Sequence, residues 1–246
     1  MNLFNFFKRQ PKAYHHIFNV TDANFNLQVI QRSYKKPLLV DYWAAWCGPC
    51  RQLGPILEKI ALEPDSPIHL AKLDTETNPH TARKYNIRSI PAVKFFHNGQ
   101  VTGEFVGLQM EHNIRRFITE VLAKPTPPPH IKLPRDPQKR FQKAKKHLLK
   151  GDGFTATIIL QHLPPNTNDQ TNTLLPLAQF LWDLTDGDAL TGDKTINTHY
   201  QSVLTHWQNG HTQTAWDTLT TTLIQDNTLS SDQQKNLTNA LSLLSS

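Results

Sequence analysis

The chain has two cysteines, and they stand three residues apart as Cys47-Gly48-Pro49-Cys50, directly after Trp46. Thiols at this spacing can exchange a dithiol for a disulfide. A thiolate attacks one sulfur of a disulfide, and the second thiol then attacks the mixed disulfide that results. The residues after Cys47 read as a helix to about Leu62. Unpaired backbone N–H groups and the positive end of the helix dipole would then face the Cys47 sulfur and favour its thiolate. Cys47 is therefore expected as the nucleophile, with Cys50, under the first turn, as the resolving thiol. Pro49 fits a first helical turn without losing a needed hydrogen bond, and Gly48 leaves space for a substrate chain. A Cys-x-x-Cys can also be half of a zinc site, but such a site needs a full tetrahedral ligand set. There is no second pair, and the 12 histidines are scattered, with neither His15-His16 nor His206 with His211 linked to the cysteines. Two thiols that merely pack are the other alternative, and the strand-to-helix setting argues against it. The favoured reading is a redox pair with no metal and no cofactor besides its own disulfide.

The elements that must position this pair alternate between strand and helix. His15 to Val20 is rich in aromatic and β-branched residues, and Thr21-Asp22 offers capping chemistry for a helix through Phe25 and Ile30 to about Ser33. Pro37 to Trp43 is a nearly continuous apolar run, as a strand buried on both faces requires. The helix from Cys47 contains Pro55, which is expected to kink it. A strand at Ile68 to Leu73 and a short helix at Asn78 to Tyr85 follow. Ala92 to Phe96 and Val101 to Val106 flank Asn98-Gly99, a strong hairpin signal. Ile114, Phe117, Ile118, Val121 and Leu122 give the last helix, Glu111 to Ala123, its apolar stripe. The order βαβαβαββα predicts a mixed sheet with helices on both faces.

Residues 40 to 57, Val-Asp-Tyr-Trp-Ala-Ala-Trp-Cys-Gly-Pro-Cys-Arg-Gln-Leu-Gly-Pro-Ile-Leu, resemble the thioredoxin family, and the resemblance extends from about His15 to Ala123. It implies an α/β thioredoxin fold with Asp41 as a buried acid behind the disulfide and Lys72 as the basic residue near it. It also implies a cis peptide at Ile90-Pro91 beside the cysteines and Gly107 bordering the substrate groove. A buried carboxylate is raised in pKa, so Asp41 could accept the Cys50 proton through water. Taken alone, Asp41 could be a tolerated polar residue in a strand and Lys72 an ordinary snorkelling lysine. Trp46, Ile90, Pro91 and Gly107 would form a shallow apolar surface around the Cys47 sulfur, whereas Trp43 is expected in the core.

The rest of the chain differs in character. Residues 124 to 137 contain six prolines and read as a semi-rigid linker. Beyond it only helical periodicity is evident. His147, Gly151, Thr155, Ala156 and Leu160 recur 59 residues later as His206, Gly210, Thr214, Ala215 and Leu219. In both copies one helix ends near the glycine and another begins, a unit of the kind that stacks in repeat proteins. Leu174 to Leu184 and Ser231 to Leu244 supply further helices. Formal charge is +5 for residues 1–123, +8 for 124–150 and −7 for 151–246. The basic stretch Lys139 to Leu148 could attract phosphates. Its inner stripe of Phe141, Ala144 and Leu148 instead favours a solvated outer face, expected to dock on the acidic region.

These features divide the chain into an extension at 1–14, a thioredoxin-like domain at 15–123, a linker at 124–137 and a tetratricopeptide-like helical domain at 138–246. That order resembles the chaperedoxins. The resemblance implies a holdase that binds unfolding proteins, shields their cysteines as mixed disulfides and passes them to the chaperonin. A different reading is a dedicated disulfide reductase whose helical domain selects one oxidised partner. Expected partners are unfolded or oxidised proteins, the chaperonin by resemblance, and a thioredoxin reductase or another dithiol donor. Neither nucleic acid nor membrane is expected. The opening apolar run is too short for a secretory signal and its charges follow it, and a cycling thiol pair suits a reducing compartment, so the cytoplasm is expected.

Overall fold

The computed structural model describes residues 16–125, 131, 133–164, 170–186 and 193–245. The predicted extension at 1–14, His15, and residues 126–130 and 132 of the proline-rich stretch lie outside them. The described residues fall into two compact units, one within 13–130 and one within 131–246. Among them, no helix is long and apolar enough to cross a membrane.

The first unit is built on a five-stranded sheet with β1 (Ile17–Asn19), β2 (Leu38–Trp43), β3 (His69–Asp74), β4 (Ala92–His97) and β5 (Gln100–Val106), in the spatial order β1-β3-β2-β4-β5. β1, β3 and β2 run parallel, and β4 and β5 join antiparallel. The central strand β2 is buried from Leu38 to Tyr42, as its unbroken apolar run demands. Alternation divides it between two cores. Leu39 packs with Leu53, Leu57, Ile114 and Ile118, from α1 (Gly48–Ala61) and α3 (Glu111–Leu122). Leu38, Val40 and Tyr42 face Phe25, Val29 and Phe96. α1 is continuous across Pro55, which lies on its exposed side.

Two local expectations are revised. The segment after β1 forms a π-helical turn at Asn26–Gln31 and a 3-10 turn at Arg32–Tyr34 instead of one regular helix. Asp22 does not cap it. Its carboxylate accepts from the backbone N–H groups of His80 at 3.2 Å and Thr81 at 2.7 Å, in the first turn of α2 (Pro79–Lys84). α2 starts with a proline, and Asn78 before it makes no side-chain cap, so its orphan donors need an acceptor from elsewhere in the chain. At the β4–β5 hairpin both central residues are left-handed, Asn98 at φ 48° and Gly99 at φ 76°. This is the geometry that the Asn-Gly pair predicts.

The second unit is all helical among its described residues: α4 (Pro137–Leu148), α5 (Gly153–Gln161), α6 (Thr171–Asp186), α7 (Lys194–Gln208), α8 (Thr212–Gln225) and α9 (Ser231–Ser245). Phe141, Ala144 and Leu148 are buried, while Lys139, Lys146 and Lys150 are exposed. Lys145 turns toward α9, where its Nζ donates to the Leu243 carbonyl at 3.2 Å. A cation here meets the carbonyl-rich end of a helix.

Both copies of the repeat fold as helix-turn-helix. Gly151 and Gly210 take φ of 72° and 77°. In each turn the residue after the glycine donates to the carbonyl five residues back, Asp152 to His147 at 3.0 Å and His211 to His206 at 2.8 Å. This pattern closes a helix on a left-handed glycine. The copies differ in what covers the turn. A Cβ on Gly151 would lie 2.5 Å from Cδ2 of Trp207, whereas one on Gly210 would meet nothing within 4 Å. Trp207 stacks edge-to-face on Trp216, whose Nε1 donates to the Leu149 carbonyl at 3.3 Å, so the second hairpin locks onto the turn of the first. Gly210→Ala is expected to destabilise by about 1 kcal/mol through left-handed strain alone. Gly151→Ala is expected to lose about 1–3 kcal/mol more through the Trp207 clash. Urea unfolding of the full chain checks this, and equal losses at the two sites would show that the indole yields freely.

Candidate active site

Cys47 and Cys50 form a disulfide at the junction of β2 and α1, with a Cα–Cα separation of 5.3 Å. Cys47 is the N-cap of α1, and its Sγ accepts from the backbone N–H of Cys50 at 3.2 Å. Gly48 and Pro49 occupy the first helical positions, where a missing N–H does no harm. Both cysteines are almost fully buried, at 2 % and 4 % exposure, although Trp46 before them is 67 % exposed.

Beneath α1 lies a buried carboxyl group. Asp41 is 2 % exposed in the middle of β2, and its Oδ1 has no hydrogen-bond partner among the described residues. Strand register places Lys72 of β3 on one side of it and Val93 of β4 on the other. Burial pushes the Asp41 carboxyl up to about 7; the Lys72 charge pulls the other way, and Glu58 pushes it further up. The Lys72 ammonium is bonded to Glu58 of α1 at 2.6 Å, and it stands over the Trp43 ring at 5.5 Å. Trp43 is thus half-buried, with the lysine over one face, instead of wholly in the core.

Topology gathers the remaining residues. β2 and β3 are parallel, so the cysteine loop and the loop after Asp74 leave from the same end of the sheet. β4 is antiparallel to β2, which brings its start, just after the cis peptide Ile90-Pro91, to that end as well. β5 finishes there, where the Gly107 N–H donates to the Pro91 carbonyl at 2.8 Å. Three contributors to this end had no signal in the sequence. Glu76 accepts from Trp46 Nε1 at 2.8 Å, Arg51 reaches back to the Ala45 carbonyl at 2.9 Å, and Glu58 holds Lys72. Each lies on a different loop or helical turn from its partner, so only the folded chain joins them.

A cysteine pair that closes a helix N-terminus above a buried carboxylate is the site of a thiol–disulfide oxidoreductase. The thioredoxin family model matches residues 16–120. Thioredoxin of Mycobacterium tuberculosis is 44 % identical over 103 residues, which are 42 % of this chain and 87 % of that protein. Thioredoxin 2 of Chlorobaculum tepidum is 40 % identical over 103 residues, 42 % of this chain and 93 % of its own. A bifunctional thioredoxin reductase/thioredoxin of Mycobacterium leprae is 43 % identical over 103 residues, 42 % of this chain and 22 % of its own. The chain belongs to the thioredoxin family and carries a helical unit after the matched region.

The Asp41 carboxyl has a stability consequence. Burial favours its neutral form, so its contribution is fully present below the ordinary value of 3.8 and is lost as pH rises through about 7. Asp41→Asn, neutral throughout, is therefore expected to raise the unfolding free energy at about pH 8 by up to ~4 kcal/mol. The gain should shrink toward zero near pH 4. Urea unfolding of the oxidised protein at both pH values measures this, and a pH-independent gain would contradict the burial argument.

Proposed function

We propose that the protein reduces disulfides in polypeptides that its own helical unit captures. The observation that carries this reading is the Cys47 sulfur at the N-terminus of α1, where it accepts the Cys50 N–H. The same bond stabilises a thiolate once the pair is reduced. Cys47 is the nucleophile. It attacks a client disulfide, one client sulfur leaves as a thiolate and takes up a proton, and a mixed disulfide forms. Cys50 then gives its proton through water to Asp41 and attacks Cys47 Sγ. The second client thiolate is released, and Cys47–Cys50 is oxidised by the two electrons that the client has gained. A thioredoxin reductase or another dithiol donor restores the pair. The Mycobacterium leprae relative, whose name joins the two activities, supports the first.

Trp46, Ile90 and Gly107 serve as the client groove, with Pro91 shaping the backbone beside Cys47 and Gly48 and Pro49 keeping the approach open. Lys72 tunes Asp41. The helical unit, assigned to 138–246 after a linker at 124–137, acts as a tetratricopeptide-like holdase for unfolded clients, with the chaperonin as a recipient and the cytoplasm as the compartment. This is supported by the duplicated hairpin, with Gly151 and Gly210 at equivalent turns and buried Ala156/Ala215 and Leu160/Leu219 at equivalent positions. Stacked hairpins of this kind present extended binding surfaces.

Insulin reduction and suppression of thermal aggregation separate the two activities. Cys47→Ser is expected to abolish the first and retain most of the second, and Cys50→Ser to accumulate mixed disulfides with clients. Loss of aggregation suppression in Cys47→Ser, with fast insulin reduction by the parent, would discard the holdase in favour of a reductase with one selected partner.

A further inference from the structure

We propose that Glu58 is a positioning residue for the exchange reaction: its carboxylate holds the Lys72 ammonium and thereby keeps Asp41 a proton acceptor instead of the lysine's ion-pair partner. The inference rests on the reading of Asp41 as the group that takes the Cys50 proton.

Asp41 and Lys72 are directly opposed across β2 and β3, so their side chains leave the sheet on the same face. That face also carries Leu39, Leu70 and Val93, packed under α1 and α3. A buried carboxylate beside an ammonium on the neighbouring strand is expected to form an ion pair, because an unpaired charge in the interior is strongly disfavoured. The observed pairing is different. Lys72 Nζ lies 2.6 Å from Glu58 Oε1, and the two side chains are 24 % and 35 % exposed, toward the edge of the buried region. Asp41 stays behind at 2 % exposure with Oδ1 unpartnered among the described residues.

The elements packed around Asp41 supply few charges that act on it. β3 contributes Lys72 and α1 contributes Glu58, while β4 presents Val93 and α3 presents Ile114 and Ile118. Lys72 favours the Asp41 carboxylate and Glu58 disfavours it. Glu58 therefore acts twice, through its own charge and by keeping the lysine occupied. It stands about two helical turns beyond Cys50, so the helix that presents the redox pair also carries the group that sets the acid beneath it.

The test uses the full chain and two readouts: the NMR titration of the Asp41 carboxyl in the oxidised protein, and the pH profile of insulin reduction by the reduced protein. Glu58→Gln frees Lys72 for Asp41. It is expected to lower the Asp41 midpoint by about one pH unit or more. The acid limb of the rate profile should move with it, and the rate above neutrality should fall because the acceptor is a weaker base. Glu58→Asp keeps the charge and should return the midpoint most of the way to the parent value. In a Lys72→Met background, Glu58→Gln should shift the midpoint by less than about half as much, because the intermediary is gone. A midpoint unmoved by Glu58→Gln, or an equal shift with and without Lys72, overturns the inference. Asp41→Asn separates this from failure of the underlying mechanism. If Asp41→Asn leaves the rate above neutrality, where Cys47 is already ionised, at the parent value, Asp41 is not the proton acceptor and both readings fall. If that rate falls in Asp41→Asn but Glu58→Gln leaves the Asp41 midpoint in place, only the role of Glu58 is lost.

Discussion

A carboxylate in the middle of a buried strand is the constraint around which the first unit is organised. Asp41 interrupts an otherwise apolar β2, and nothing in the packing of Leu39, Val40 or Tyr42 requires it. Its burial opposes folding at neutral pH, so the surrounding elements must hold it in place against that penalty. They do so with a dense apolar layer on either side of the sheet and one ion pair, Lys72 to Glu58, at the margin of the site. The same helix that roofs the carboxylate begins at Cys47, so the position of the acid and the position of the disulfide are set together.

The mixed sheet explains why so few residues suffice. Parallel pairing of β2 with β3 and antiparallel pairing of β4 with β2 bring the cysteine loop, the loop after Asp74, the start of β4 and the finish of β5 to one end. Hydrogen bonds then pin the neighbouring segments. Asp22 and Asn78 clamp the start of α2, and Gly107 ties to Pro91. Trp46 is the exposed member of this group, and Glu76 fixes its indole.

In the helical unit, the two hairpins share one turn geometry and differ in what surrounds it. Both hairpins keep the left-handed glycine and the backward hydrogen bond, because a chain reversal of this kind needs both. The first turn carries a cap, the Thr155 N–H donating to Asp152 Oδ1, and receives Trp207 in the space where a side chain would be. The second turn has neither: His211 makes no side-chain cap, and Gly210 opens outward. The first copy is therefore the interior one in energetic terms and the second the freer one.

The sequence by itself determined what depends on near neighbours. The cysteine spacing, the strand-to-helix switch at Cys47, the Asn98-Gly99 hairpin and the paired glycines at 151 and 210 are all local. Their conformations follow from the residues within a turn or two. Asp41 and Lys72 could be singled out only through family resemblance, since a lone acid or lysine in a strand has no local signature. The tertiary structure decided which charges meet. Asp22 leaves its own segment to cap a helix 57 residues away, Lys72 chooses Glu58 over Asp41, and Trp46 finds Glu76. Long side chains pair according to distance in space and the cost of desolvation, and both quantities come into being only when the sheet and its helices have packed.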